Sequence, residues 1–334
     1  MRTPNFDNML AVLHRQAPER PTLFEFFLNA RLYARLGGPA DPADPLGGQR
    51  QALRAYQQAG YDYVTLHGTD LSFPTRVVES KASRSMSDLG IISDRASFEA
   101  YPWPDPAVMD YSRIALLGAQ LPAGMKLIVY GPGGVLENVM QLFGYEQLCL
   151  LLVDDPALVQ EVFDAVGARL VRYYELCVHY PGVGALISND DWGFNTQTML
   201  PPDLMRKYVF PWHQRIVAVG HDAGLPVILH SCGNLAPVMD DIIESMRYDG
   251  KHSYEDKICP VEEAYEIWGR RIAILGGIDL DFVCRATPAE ITARSTAMLA
   301  RSADRGSYAL GTGNSVPEYV PDEHYFAMTA AALD

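Results

Sequence analysis

The sequence predicts an α/β fold in which eight parallel strands and their helices close into a single (β/α)₈ TIM barrel. Three observations support this prediction. Short apolar runs recur, longer amphipathic stretches separate them, and no linker or internal repeat divides the 334 residues. The runs predicted as strands are residues 21–26, 62–67, 125–130, 185–189, 226–230, 248–254, 272–278 and 307–311.

Helical periodicity lies between the predicted strands. Residues 204–219 place apolar side chains mostly three and four positions apart, and the preceding prolines are a start signal. Residues 235–246 and 288–301 show the same pattern, and Thr287 is a suitable N-cap for the second of them. The alternation favours a single domain that comprises residues 1–334. An open doubly wound sheet is the alternative to the closed barrel.

Residues 71–104 do not follow this alternation. Within them, residues 75–79, 85–89 and 90–93 have the pattern of short antiparallel strands. A connection of this length in a compact domain is usually a lid or a binding element. We therefore expect an antiparallel insertion over the barrel top, after the second strand.

The charge balance limits the classes of partner. With 41 acidic and 27 basic residues, the formal net charge is −14 at pH 7, which disfavours nucleic acid and anionic membranes. The five cysteines show no disulfide pattern, and neither an apolar leader nor a run of about 18 apolar residues occurs. We therefore expect a cytoplasmic enzyme that binds a small molecule, either as a monomer or as a homodimer.

Polar side chains follow nearly every predicted strand. In an α/β barrel the C-terminal strand ends share one rim, and catalytic residues lie there. The residues at this rim are Glu25, His67, Asp70, Tyr130, Asp190, Asp191, His230, Ser231, Cys232, His252, Glu255, Asp279 and Asn314. Together they favour a shared polar site, although a carboxylate such as Asp279 can also be only a helix N-cap.

The most specific local pattern is His230-x-Cys232. Residues two apart on a strand face the same way, so these side chains are expected to lie together. Imidazole and thiolate are good zinc ligands, and Glu255 after the next strand can supply a third, which leaves an open position typical of catalytic zinc. The alternative is a buried cysteine beside a hydrogen-bonded core histidine.

Several longer segments carry a resemblance to a known family. They are 131–137 (GPGGVLE), 190–193 (DDWG), 230–233 (HSCG), 252–255 (HSYE), 275–279 (LGGID) and 311–317 (GTGNSVP). With these segments the chain resembles the uroporphyrinogen decarboxylase superfamily of (β/α)₈ barrels over most of its length. It looks closer to the branch of zinc- and corrinoid-dependent methyltransferases than to the decarboxylases.

The resemblance implies a cofactor and a partner. In the methyltransferase relatives, zinc is held by a His-x-Cys pair, often an acidic residue, and a late cysteine. Carried over, this implies that His230, Cys232 and Glu255 hold zinc, and that a corrinoid arrives on a separate protein. The implied reaction is transfer of a methyl group from or to a small substrate at this metal.

The late cysteine is missing from this chain. It falls in a Gly-Cys-Gly-Val-Pro loop of the relatives, and here Asn314 stands at that place. Three options follow: a three-ligand site, recruitment of His252 or Asp190 as a further ligand, or a site without metal.

The same hypothesis assigns roles to other residues at the rim. Asp190 and Asp191 would orient the substrate or act as acid and base, and Tyr130 or His67 would donate a proton. If His252 is not itself a ligand, it would hold a metal ligand in its orientation. The predicted substrate-binding residues are Glu25, Trp192, Asp279 and Asn314.

A metal-free decarboxylase or lyase is the main alternative, with Asp190 or Asp191 as its acid. The decarboxylases carry an early Arg-x-x-x-Arg stretch, whereas residues 24–31 contain Glu25 and no paired arginines. A rim rich in carboxylates would repel a substrate with many carboxylates. Porphyrinogen decarboxylation therefore ranks below methyl transfer.

A non-catalytic subunit that clamps a corrinoid protein is a third class. Such a subunit would need a docking face and would tolerate substitutions at the strand ends. Trp192, Tyr101 and Trp103 would either cover that face or pack the insertion, and packing is favoured.

Overall fold

The computed structural model describes residues 2–75 and 90–333. Within them, seven parallel strands form one sheet in which the strands neighbour one another in sequence order. The strands are β1 (Tyr63–His67), β2 (Lys126–Tyr130), β3 (Val183–Asn189), β4 (Val227–His230), β5 (Gly250–His252), β6 (Ala273–Leu275) and β7 (Tyr308–Ala309). Each overlaps one of the predicted runs, which confirms the predicted α/β, TIM-barrel-like fold.

Helices alternate with these strands in the described residues. They are α1 (Asp7–Leu13), α2 (Ala30–Gly37), α3 (Gly47–Ala59), α4 (Arg95–Ala100), α5 (Ser112–Gly118), α6 (Val135–Phe143), α7 (Tyr145–Asp154), α8 (Pro156–Cys177), α9 (Pro202–Leu204), α10 (Phe210–Asp222), α11 (Val261–Trp268), α12 (Leu280–Arg285), α13 (Pro288–Ser302) and α14 (Asp322–Leu333). Short 3₁₀ turns occur at Pro106–Val108 and Ala236–Val238. In this part of the chain, no helix combines the length and apolarity needed to cross a membrane.

The first predicted strand, residues 21–26, is reduced to one parallel bridge between Leu23 and Leu310. On the side that faces β1, hydroxyl groups of side chains bond to the backbone of this segment, where a paired strand would form backbone hydrogen bonds. Tyr63 Oη donates to the carbonyl of Glu25 at 2.7 Å, and Thr65 Oγ1 donates to the carbonyl of Phe26 at 2.9 Å. These bonds join the segment to β1, so it fills the gap between the two ends of the sheet.

Two of the three predicted helices form, and other helical turns replace the third. Residues 204–219 are helical throughout, but Met205–Val209 is a π-turn that precedes α10. Pro211 has no N–H for the regular α-helical bond, which favours such a widened turn. Residues 235–246 form a 3₁₀ turn and a second π-turn, Asp241–Ser245, instead of one α-helix. Residues 288–301 form α13, and Thr287 caps it as predicted.

The predicted insertion is only partly within the described residues. The proposed strands 75–79 and 85–89 lie outside them, apart from Thr75. Residues 90–93 do not form the predicted strand, because the N–H groups of Gly90 and Ile92 bond to the end of α6. Helix α4 follows them. Tyr101 and Trp103 pack against each other at 4.5 Å between ring centres, in agreement with the favoured packing role.

Candidate functional site

Three potential metal ligands meet at the C-terminal ends of β3 and β4. They are Asp191, His230 and Cys232, and one potential ligand atom of each lies within 4.8 Å of the others. His230 ends β4, and its Nε2 is 4.0 Å from the Cys232 sulfur, as expected for residues two apart. The backbone N–H of Cys232 donates to Asp191 at 2.8 Å. The predicted pair is therefore together, and Asp191 stands where we expected Glu255.

A chain of hydrogen bonds fixes the orientation of the His230 ring. His252 Nε2 is 3.2 Å from the Thr312 carbonyl, which only accepts, so this nitrogen carries the proton. Burial lowers the pKa of His252 well below its ordinary value, so its Nδ1 is an acceptor. His230 Nδ1, 2.8 Å away, must therefore donate to it. Burial also lowers the pKa of His230 to about 3, so its Nε2 keeps a free electron pair near Cys232.

The Cys232 thiol lies in a mostly buried setting. Burial, followed by the nearby Asp191 carboxylate, raises the pKa of the Cys232 thiol to about 12. Asn314 Nδ2 donates to the sulfur at 3.2 Å, and Asn314 Oδ1 accepts from the N–H of Ser315 at 2.7 Å. Asn314 thus contacts the candidate ligand sulfur through its amide N–H. The sequence predicted a substrate-binding role for Asn314, and did not predict this contact with Cys232.

Asp190 faces away from this cluster and is fully buried. Its two oxygens accept from the backbone N–H groups of Leu136 and Glu137 at the start of α6, each at 2.9 Å. His213 Nε2 lies 2.9 Å from the same carboxyl group. A carboxyl group with these three partners and no exposed surface anchors α6 to β3. The acid–base role stays a prediction, and of the two aspartates only Asp191 lies with the ligand cluster.

Glu25 also lies inside the barrel, without exposed surface. It accepts from Thr312 N–H at 2.7 Å, and its other oxygen is 2.7 Å from the Thr312 hydroxyl. That hydroxyl also contacts the carbonyl of Asn314. The Thr312 hydroxyl donates to Glu25, and burial raises the pKa of Glu25 to about 8 against the opposing effect of the two hydrogen bonds from Thr312. Glu25 therefore holds the loop of Thr312 and Asn314, and the substrate-binding role predicted for it stays a prediction.

Three other predicted residues lie apart from the ligand cluster. Glu255 is partly exposed and lines a neighbouring cavity. Asp279 is a helix N-cap, the alternative noted above, because it accepts from the N–H of Phe282 at 3.0 Å. Trp192 is fully buried and packs edge-on against His213, so neither substrate nor a docking partner can reach its ring.

Tyr130 and His67 lie on an aromatic wall beside the cluster. Their ring centres are 5.2 Å apart, and Phe26 links Tyr130 to the ring of His230. Burial raises the pKa of Tyr130 to about 12 and lowers that of His67, so both are neutral at pH 7. The nearby Arg113 contributes to the lower pKa of His67. Arg113 lies on α5, and no pattern in the sequence singled it out.

Glu137 is a second residue that the sequence did not single out. Burial, then the charges of Asp190 and Asp191, raises the pKa of Glu137 to about 8. Its side chain accepts from the N–H of Gly134 at 3.1 Å at the start of α6. Segment 131–137 carried part of the family resemblance, but only the folded chain shows that its last residue borders Asp191.

Comparison with known proteins identifies the family. A structure described as a methyltransferase from Methanosarcina mazei is similar at a TM-score of 0.76 and 16% identity, over 99% of this chain and 98% of that one. An endo-beta-1,4-xylanase from Gloeophyllum trabeum shows a TM-score of 0.41 and 12% identity over 70% and 84% of the chains, too distant to support an argument. No curated protein sequence matches the chain significantly. The family model of uroporphyrinogen decarboxylase (URO-D) matches residues 91–334, well over half of the chain, so the protein belongs to the URO-D family.

Proposed function

We propose that the protein is a zinc-dependent methyltransferase, which transfers a methyl group between a small substrate and a corrinoid on a separate protein. The observation that carries the proposal is the convergence of Asp191, His230 and Cys232, whose potential ligand atoms lie within 4.8 Å of one another. Membership of the URO-D family and the fold shared with a structure described as a methyltransferase support this choice of reaction.

The donor set fits zinc. Imidazole, thiolate and carboxylate are ligand types that zinc accepts, and three protein ligands leave one position for substrate. His230 offers an unprotonated Nε2, because its Nδ1 proton is directed to His252. When bound there, zinc supplies a Lewis acid that lowers the pKa of an acceptor group or stabilises a leaving oxygen.

The protein's own residues would prepare the site for this chemistry. The amide of Asn314 donates to the Cys232 sulfur, and a hydrogen bond of this kind favours the thiolate over the thiol. Asp191 keeps one oxygen on the Cys232 N–H, which leaves its other oxygen for a ligand or a substrate proton. Tyr130, a neutral phenol on the aromatic wall, would donate a proton to a leaving group.

The first test is the zinc content of the full-length protein, purified without chelators and measured by elemental mass spectrometry. We expect about one zinc per chain. The protein should also demethylate methylcobalamin, a free corrinoid, in the presence of small thiols, and lose this activity when zinc is removed. The absorbance of the corrinoid reports the loss of its methyl group. Protein that is folded yet holds no stoichiometric metal would contradict the proposal and favour a metal-free lyase with Asp191 as its acid.

Replacing Asn314 with cysteine should strengthen zinc binding. Because Asn314 already contacts the Cys232 sulfur, a thiolate at this position is near enough to act as a fourth ligand. We expect the zinc dissociation constant to fall by at least about tenfold, measured by competition with a chromophoric chelator. Ser315→Cys is the matched control, since it adds a thiol one residue away. Equal affinity in both variants would show that position 314 does not face the metal.

A further inference from the structure

Another cavity lies at the opposite end of the barrel from the metal-ligand cluster. It is beside the N-terminal ends of β5 and β6, since Asp249 and Arg271 come shortly before these strands. Its volume is about 400 Å³, within the range of about 300–1,000 Å³ that is typical of small-molecule sites. The wall is mostly polar, and the arginines in it are Arg15, Arg247, Arg270 and Arg271. Such a group of arginines is unexpected in a chain with a net charge of −14.

Three of these arginines have guanidinium groups without a partner. In the part of the chain that the structure describes, the side chains of Arg15, Arg247 and Arg270 form no hydrogen bond, ion pair or cation–π contact. Every other arginine in this part bonds to an oxygen acceptor or lies over an aromatic ring. The arginines that lack a partner therefore all line one cavity.

The carboxylates of this cavity are engaged elsewhere. Glu244 accepts from Arg271 at 2.8 Å. Asp249 lies 2.8 Å from His221 Nε2 and accepts from the backbone N–H of Val227, also at 2.8 Å. The three arginines are thus left without a counter-ion, and positive charges around one cavity repel one another unless an anion lies between them.

Two of the three arginines occupy backbone positions that favour glycine. Arg15 comes shortly after α1, and Arg247 shortly after the π-turn Asp241–Ser245, and their φ angles are 60° and 64°. Glycine adopts this left-handed conformation without steric cost, whereas residues with a Cβ do not. Stability alone therefore does not account for arginine at either position, and a function of the side chain does.

We propose that this cavity binds a small molecule with two or more phosphate groups, held by Arg15, Arg247 and Arg270. The planar guanidinium fork binds pairs of phosphate oxygens, and three such groups can neutralise more than one phosphate. The net charge of −14 disfavours nucleic acid as the source of these phosphates. Catalytic residues of an α/β barrel lie at its other end, so the ligand is distinct from the methyl-transfer substrate. The site needs no zinc and stands independently of the proposed function.

Pyrophosphate and orthophosphate are matched probes, because they differ in the number of phosphate groups. Isothermal titration of the full-length protein in about 0.15 M salt should give a dissociation constant for pyrophosphate below about 100 μM, at least about tenfold tighter than for orthophosphate. Arg247→Gln and Arg270→Gln should each weaken pyrophosphate binding at least about tenfold, because each removes a charged donor. Arg285→Gln is the matched control, since it removes the same charge from another surface. Unchanged affinity in both cavity variants would overturn the proposal.

A further variant separates this cavity from the metal-ligand cluster, because pyrophosphate also binds metal ions. His230→Ala should bind pyrophosphate like the wild type. Loss of binding in His230→Ala, with binding kept in Arg247→Gln and Arg270→Gln, would place the anion at the metal site and refute the assignment.

Chemical protection offers a measurement that needs no variant. Phenylglyoxal modifies accessible guanidinium groups, and peptide mass spectrometry follows the reaction at each arginine. Saturating pyrophosphate should slow modification of Arg15, Arg247 and Arg270 and leave the rate at Arg285 unchanged. Equal rates at the three cavity arginines with and without pyrophosphate would contradict the proposal.

Discussion

Replacing His230 or Cys232 with alanine is expected to reduce the zinc content of the purified protein from about one ion per chain to less than about 0.1. Each change removes one of the three potential ligands of the described cluster, which hold zinc under the proposed function. Loss of a partner outside the ligand shell already weakens metal binding about 10–100-fold, and loss of a ligand costs more. Elemental mass spectrometry measures the content, and circular dichroism checks that the variants are folded.

Two carboxylate variants provide the control for this experiment. Asp191→Ala should lose zinc like the His230 and Cys232 variants, because its carboxylate lies with them. Glu255→Ala should retain about one zinc per chain, since Glu255 lines the neighbouring cavity instead. Replacement by cobalt adds a spectroscopic readout, in which the thiolate absorption band should vanish in Cys232→Ala and persist in Glu255→Ala. If instead Glu255→Ala lost zinc and Asp191→Ala retained it, the ligand set expected from the sequence would be correct.

The pairing of His230 and Cys232 was predictable because it depends on one strand. Side chains two apart on a strand face the same way whatever the rest of the fold does. The parallel strands were predictable for a similar reason, since their apolar runs are local. Which carboxylate lies beside this pair, Asp191 or Glu255, depends on how two different loops follow β3 and β5, and no local pattern contains that information.

Asp190 and Asp191 show a second limit. Adjacent residues in an extended chain point to opposite sides, so only one of the two can face the site. The sequence does not say which. In the structure, Asp190 meets the first turn of α6, whose unpaired N–H groups attract a carboxylate, and Asp191 is left to face Cys232.

The first strand and Lys251 show what tertiary contacts decide. Residues 21–26 have a strand-like pattern, yet hydroxyl groups of Tyr63 and Thr65 bond to their backbone in place of a neighbouring strand. Lys251 stands next to His252 on β5, so one faces the barrel interior and the other the helix layer. A lysine in a short polar segment is normally solvated, and only the packed structure shows it buried.

Replacing Asp190 with alanine is expected to destabilise the fold by about 3–5 kcal/mol. The change leaves the N–H groups of Leu136 and Glu137, and the imidazole of His213, without their partner in a fully buried place. The free energy of unfolding can be measured by urea denaturation. Tryptophan fluorescence is a suitable probe, because Trp192 packs against His213 at 4.8 Å between ring centres.

Asp304→Ala is the matched control, since Asp304 is exposed, and its effect should stay within about 0.5 kcal/mol. Asp190→Asn should fall between the two, because its amide keeps the shape and one acceptor but presents N–H groups to other donors. If Asp190→Ala unfolded like the wild type and yet lost methyl transfer, Asp190 would be a catalytic residue after all. A large loss of stability, with zinc still bound in the folded fraction, would instead establish Asp190 as the group that fixes α6 beneath the metal ligands.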